Sequence, residues 1–398
     1  MHARRNKMDI ELKRPVFTNE DCIAILGDLI AINSTNDHEI TVAKYLQKLL
    51  KENGIDAKVL RYSDTRADLL AEIGSGSPVL GISGHMDVVD AGDPTEWTSN
   101  PFELTERDGR LYGRGAADMK SGLAAMVIAL IEIKHNRLLK KGTIRLMATF
   151  GEEVGEEGSQ KIAEMGLMDD VDALVIGEPS GYDPAFSHKG SLDIRLTSKG
   201  QSAHSSMPED GKNAIDPLIE ILHAANHHFR DSAVENELLG PLTFHTTIFK
   251  GGNQVNSIPA MAEAEINVRT IPNFTNQQVI ADLQKLVDQQ NDAGAQVKLE
   301  AYMTQDAVET TGKSRLMELI QQVGSEFRGA PIKPGVIPAV TDASNLLRDK
   351  DEGFPFAIWG PTGDGVHQVD EYVEKDLYLN FIKMYITVFT QYLNAQKD

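Results

Sequence analysis

Apolar residues along the chain switch between two periods. From Thr18 onward Ile23, Leu26, Leu29 and Ile30 recur at helical spacing, and Ile40, Val42, Leu46, Leu49 and Leu50 repeat the pattern. Residues 57–60, 69–73 and 78–82 are short apolar runs that read as strands, and 122–134 reads as a buried helix beginning just after Asp118. A strand over 143–150, a helix over 159–165 and a strand over 173–176 continue the alternation, which is the pattern of an α/β sheet. Past Pro184 the texture changes. Residues 191–197, 243–248 and 261–268 alternate apolar with polar, as a sheet with one wet face requires, with helical patterns over 214–227 and 277–289 and a strand over 296–299. The order β-α-β-β-α-β describes a small two-layer α+β domain. The α/β texture resumes by Ser314 and closes with a helix over 378–392. The expected organisation is a larger domain made of residues 1–185 and 301–398, interrupted by an inserted domain at 186–300.

Composition narrows what such a chain does. At 398 residues it is long enough for two domains, and 39 basic against 59 acidic residues leave a net charge of -20. That surface repels nucleic acid and anionic membranes and concentrates cations, so no nucleic-acid or membrane partner is expected. The single cysteine, Cys22, excludes an intramolecular disulfide and a cysteine-built metal cluster. The basic start, with Arg4, Arg5 and Lys7, precedes Asp9 and Glu11 rather than an apolar segment, which predicts a cytoplasmic protein with a disordered tail before Thr18.

The chemistry-bearing residues sit in the predicted connections. Glu152 and Glu153 stand side by side after the strand over 143–150, so one can hold a metal while the other moves a proton. His85 and Asp87 follow another strand, where Gly84 gives the backbone room to turn; alone, such a pair is more often a hydrogen-bonded pair or loop decoration than a metal site. Asp118, between a glycine-rich turn and an apolar helix, can be a helix cap, a ligand or both. Glu178 ends a strand and His367 lies in a glycine-rich loop. Two histidines with three carboxylates suit two borderline-soft divalent ions about 3.5–4 Å apart, sharing one carboxylate.

Taken together, residues 83–89, 111–120, 151–153, 177–179 and 366–371 resemble the M20 metallopeptidase and deacylase family across essentially the whole chain after Thr18. The resemblance implies a zinc-peptidase-like catalytic domain, its mixed sheet flanked by helices, carrying an inserted dimerisation lid through which a homodimer forms. It implies two zinc ions, with cobalt or manganese as alternatives, bridged by Asp118: one also held by His85 and Glu178, the other by Glu153 and His367. Glu152 becomes the general base, and Asp87 fixes the His85 ring. His204 matches a histidine that stabilises the oxyanion, from its own chain or from the partner, and Asn256 and Arg269 match residues that touch substrate polar groups. A cis peptide beside Asp118 is implied as well. The implied reaction is hydrolysis of a small N-acyl amino acid. The wording of 115–120 and 367–371 ranks N-succinyl-LL-2,6-diaminopimelate first, with acetylornithine or another N-acyl amino acid second and dipeptidase or aminopeptidase activity as a further reading. Where desuccinylases carry Arg-Arg-Gly-Ser, this chain has His188-Lys189-Gly190-Ser191, which leaves His188 and Lys189 as the candidates to grip a substrate carboxylate. A non-enzymatic scaffold would be expected to lose Glu152 or a ligand, and all are present. His227 and His228 read as helix decoration.

Overall fold

The computed structural model describes residue 10 and residues 12–231 and 234–395. The chain divides into two compact units. The first runs through Phe186 and resumes over Thr310–Gly335 and from Thr341 onward; the second comprises Ser187–Glu309 and Val336–Val340. The return to the first unit therefore falls after Glu309 and not at residue 301, because the last strand of the inserted sheet runs from Val297 through Gln305.

In the first unit, neighbouring strands follow the order Ala57–Arg61, Ala67–Ser75, Gly142–Thr149, Val79–His85, Ala173–Pro179 and Phe356–Gly360. The first three pair antiparallel and the rest parallel, so the sheet is mixed. Val79–His85 is buried along its whole length, as a strand covered on both faces must be. Register pairs His85 with Thr149 and Ser83 with Ile176, so three parallel strands end together at one carboxyl edge. That is the edge where open α/β sheets collect ligands.

The helix Lys120–His135 is buried from Lys120 through Ile133 and packs against Lys375–Asn394 and Asn19–Ala31. It lies so close to the sheet that a Cβ on Gly122 would meet the Gly177 carbonyl oxygen at 2.0 Å. Asn19–Ala31 starts at a reciprocal cap: the Asp21 N–H donates to Thr18 Oγ1 at 3.1 Å and the Thr18 N–H to Asp21 Oδ2 at 2.8 Å. Of the segment expected as a disordered tail, Arg4, Arg5 and Lys7 lie outside the described residues. The stretch just before Thr18 is held in place, with the Val16 and Phe17 N–H groups donating to the buried Glu132 at 2.8 and 3.1 Å. A small sheet joins Tyr372–Glu374, Arg110–Tyr112 and Thr105–Arg107, bringing the C-terminal loop beside the Gly113 turn.

The second unit has the predicted β-α-β-β-α-β order. Its antiparallel sheet runs Thr243–Gly251, Met261–Arg269, Ser191–Lys199, Val297–Gln305, and the helices Ile215–Arg230 and Asn276–Asp292 pack on it. Alternating Leu192, Ile194 and Leu196 join Phe244, Ile266 and Val268 in its core. His227 and His228 lie on Ile215–Arg230, where they pair with Asp231 and Asp282.

Candidate metal centre

Five of the predicted residues converge at the carboxyl edge of the first unit. His85 ends its strand fully buried, with Nε2 3.1 Å from Asp118 Oδ1 and 3.5 Å from Glu178 Oε1. His367 Nε2 stands 3.0 Å from Glu153 Oε1 and 3.4 Å from Asp118 Oδ2. Each oxygen of Asp118 thus faces a different imidazole, the arrangement a shared carboxylate needs between two cations. Ligand atoms of His85, Asp118 and Glu153 lie within 4.8 Å of one another, and so do those of His85, Glu152 and Glu178. His367 falls outside both groups and pairs with Glu153 and Asp118.

Asp118 does not cap its helix. The cap position of Lys120–His135 is Met119, with no side-chain hydrogen bond, and the Asp118–Met119 peptide is cis. The carboxylate is therefore free to face the histidines. Gly84 also has a different role from the one its sequence position suggests. It lies within the strand, where a Cβ would meet Met119 Cε at 2.4 Å, so it admits Met119 and does not turn the chain.

Asp87 works through other atoms than expected. His85 Nδ1 bonds the main-chain oxygen of Asp87 at 2.9 Å, while the nearest Asp87 carboxylate oxygen is 3.7 Å away. That carboxylate instead accepts the N–H groups of Glu152 and Glu153, each at 3.1 Å. Asp87 thereby orients the histidine with its backbone and the two glutamates with its side chain. Gly151, at φ 70°, makes the turn that brings both N–H groups to it.

The charge balance calls for cations. Burial pushes the Glu152 carboxyl well above the usual range, and the neighbouring Glu178 charge raises it further. Burial alone would lower the His85 imidazole, but Glu178, Asp118 and Glu152 together raise it well above its ordinary value. Hydrogen bonds to Asp118 and Glu153 push His367 up to about 10. Glu178 Oε1 is buried without a hydrogen-bond partner among the described residues. Such an oxygen, in a donor set of imidazole nitrogen and carboxylate oxygen without sulfur, fits two divalent ions of the zinc, cobalt or manganese type.

Several neighbours carry no sequence signal strong enough to select them. Asp342 accepts from Thr149 Oγ1 at 2.5 Å behind the strand end, and buried Glu156 accepts from Asn345 at 3.2 Å. Lys120, fully buried, donates to the Leu29 and Ile32 carbonyls at 2.9 and 2.8 Å, closing the end of Asn19–Ala31. A charged residue at the head of an otherwise apolar helix was the only available hint.

The remaining candidates belong to the second unit. His204 is exposed, and the Ser206 N–H donates to its Nδ1 at 3.2 Å. The same Nδ1 lies 2.8 Å from Ser206 Oγ. Asn256 is exposed, its main-chain oxygen accepting from the Ser205 N–H at 3.0 Å, and Arg269 is half-buried at the end of Met261–Arg269. His188 is fully buried, and burial pushes its imidazole down to about 4, so it is neutral. Its Nδ1 bonds Lys189 O at 2.8 Å, and Nε2 has no hydrogen-bond partner among the described residues. Lys189 Nζ donates to the Pro241 carbonyl at 2.5 Å.

The model of peptidase family M20/M25/M40 matches residues 81–391. A probable succinyl-diaminopimelate desuccinylase of Staphylococcus epidermidis is 40% identical over 404 aligned residues, covering 95% of this chain and 99% of the relative. A succinyl-diaminopimelate desuccinylase of Wolbachia pipientis wMel is 28% identical over 391, covering 94% and 96%. Among solved structures, an M20 family metallo-carboxypeptidase from Sulfolobus solfataricus superposes with a TM-score of 0.77 at 19% identity, over 94% of this chain and 99% of that one. A dinuclear metal binding peptidase of the M20 family from Bacillus subtilis gives 0.70 at 18%, over 95% and 99%. The solved structures speak for the fold and the sequence relatives for descent: this chain belongs to peptidase family M20/M25/M40.

Proposed function

We propose that this chain is a two-metal amidohydrolase that removes the succinyl group from N-succinyl-LL-2,6-diaminopimelate. The observation that carries the hydrolase reading is Asp118, with one oxygen toward each imidazole and the half-buried Glu152 alongside. His85 and Glu178 would hold one ion, Glu153 and His367 the other, with Asp118 between them. Such a pair supplies Lewis acidity toward the amide carbonyl and a lowered pKa for water. Glu152 accepts the proton of the attacking water and delivers it to the departing amine nitrogen. His204 donates a ring N–H to the developing oxyanion. Asn256 and Arg269 hold substrate polar groups, Arg269 by a two-pronged contact to a carboxylate.

The succinyl preference is supported by the names of relatives that align end to end at up to 40% identity. One observation favours acetylornithine or another N-acyl amino acid instead. His188 is buried and neutral and Lys189 has one donor on the Pro241 carbonyl, so the paired guanidinium fork that suits a succinyl carboxylate has no counterpart here. Steady-state hydrolysis by zinc-loaded protein, comparing N-succinyl-LL-2,6-diaminopimelate, N-acetyl-L-ornithine and a small dipeptide in one buffer, decides the matter. A kcat/KM preference for the succinyl compound is expected, and preference for either other compound reassigns the substrate while keeping the chemistry.

The proposal extends to a homodimer through the inserted domain. Thr243–Gly251 is the edge strand of its sheet and carries exposed Ile248 and Phe249. Sedimentation should give twice the chain mass, and I248K with F249K should return the monomer. A cytoplasmic location is proposed from the single buried Cys22; among the described residues no helix is long and apolar enough to cross a membrane.

A further inference from the structure

The side chain of Glu371 does nothing in the mechanism above, yet it is fully buried and spends both oxygens on one short segment. Oε1 accepts the N–H groups of Ala117 and Asp118 at 2.8 and 3.0 Å, and Oε2 pairs with the Arg114 guanidinium. Its main-chain oxygen accepts the Gly113 N–H at 3.0 Å. Arg114 is anchored in turn: it donates to the Asp90 carbonyl at 3.2 Å and lies over the Trp97 ring at 5.3 Å. Asp118 is not in the helix, so its N–H has no place in a helical ladder, and Glu371 is the acceptor that receives it. Glu371 also stands four residues beyond His367. One buried carboxylate therefore ties the backbone of the shared aspartate to the loop that carries the second histidine.

From this geometry we infer that Glu371 is a positioning residue: it sets Asp118 against His367, and so governs the cation site they share more than the site of His85 and Glu178. The inference rests on the two-ion reading above. Supports of this kind to metal ligands change affinity or activity by about 10–100-fold when removed.

Cobalt titration tests it by calorimetry and visible absorption, with metal content checked after dialysis. E371Q should keep one tightly held cobalt equivalent, bind the second about 10–100-fold more weakly with an altered spectrum, and lose kcat more than it changes KM. E371Q leaves Arg114 buried without its partner and can fail to fold, so two doubly substituted chains without that charge carry the decision. R114M/E371Q keeps an amide oxygen for the two N–H groups, whereas R114M/E371L offers none. The first should recover most of the second-ion affinity, and the second should stay about 10–100-fold weaker even where its melting temperature matches the first. Equal cobalt affinity and spectra in the two double variants would overturn the inference and leave Glu371 a partner of Arg114 alone. The readout is independent of substrate: a wild-type protein that binds two cobalt ions but does not hydrolyse the N-succinyl compound refutes the substrate reading and leaves this comparison intact.

Discussion

Glu152 and Glu153 are neighbours in sequence with opposite surroundings: Glu153 contacts His367, while Glu152 is grouped with His85 and Glu178. E152Q keeps size and hydrogen bonding but removes the proton acceptor, so kcat should fall by about 10²–10⁴-fold with metal content unchanged. Retained turnover, with full metal occupancy measured on the same sample, would remove Glu152 from the role of base. The pair is legible from sequence because adjacency alone forces divergence. What sequence could not show is that Asp87 grips both of their N–H groups. D87N replaces one acceptor oxygen by an NH2 group that only donates, and should lower kcat while the fold persists, as followed by circular dichroism. With His204 as the oxyanion donor, H204A should reduce kcat and leave metal stoichiometry intact. Unchanged kcat in H204A would end its assignment to the oxyanion.

Elements place these residues by where they stop. Three parallel strands finish in register, and their ends lead to His85, to Glu152 and Glu153, and to Glu178. Hydrophobic runs reveal the strands; parallel pairing, which no periodicity encodes, brings the ends together. The buried helix is a parallel case. Its apolar length is plain from sequence, yet its contact distance depends on Gly122, whose Cβ would be 2.0 Å from the Gly177 carbonyl. In an ordinary exposed helix G122A would be stabilising, through propensity. Here it forces helix and sheet apart, and a loss of about 1–3 kcal/mol is expected in denaturant unfolding. A stability equal to or above wild type would show that the helix moves without cost.

At the scale of the whole molecule, burial of carboxyls makes stability depend on pH. Burial pushes Glu39 up to about 7 and Asp68 up to about 8, and both oxygens of Glu39 are without a hydrogen-bond partner among the described residues. An acid whose pKa is raised on folding holds its proton more tightly in the folded state. The stability it contributes is complete below the ordinary carboxylate range and is lost as pH rises through about 7 for Glu39 and about 8 for Asp68. The metal-free protein should therefore melt lower at pH 8.5 than at pH 5.5. E39Q, which cannot ionise, should raise the melting temperature at pH 8.5 by a few degrees and by less at pH 5.5, where part of the Glu39 contribution remains. An identical pH slope in E39Q would place the dependence elsewhere.

The sequence by itself determined the element types, the interruption of one α/β body by a two-layer domain, and which side chains were candidates for the metal site. Each of these rests on local information: period, turn residues, and chemically distinctive residues lying in connections. Only the tertiary structure decided which atoms do the work. Asp87 holds His85 with its main chain, Asp118 leaves the helix cap to Met119, His188 is neutralised by burial, and Glu371 reaches back to Ala117 and Asp118. These depend on distances between segments far apart in sequence and on how much water each group keeps. A hydrogen-bond partner or a desolvated charge is a property of the packed environment, and no residue carries that in its own identity.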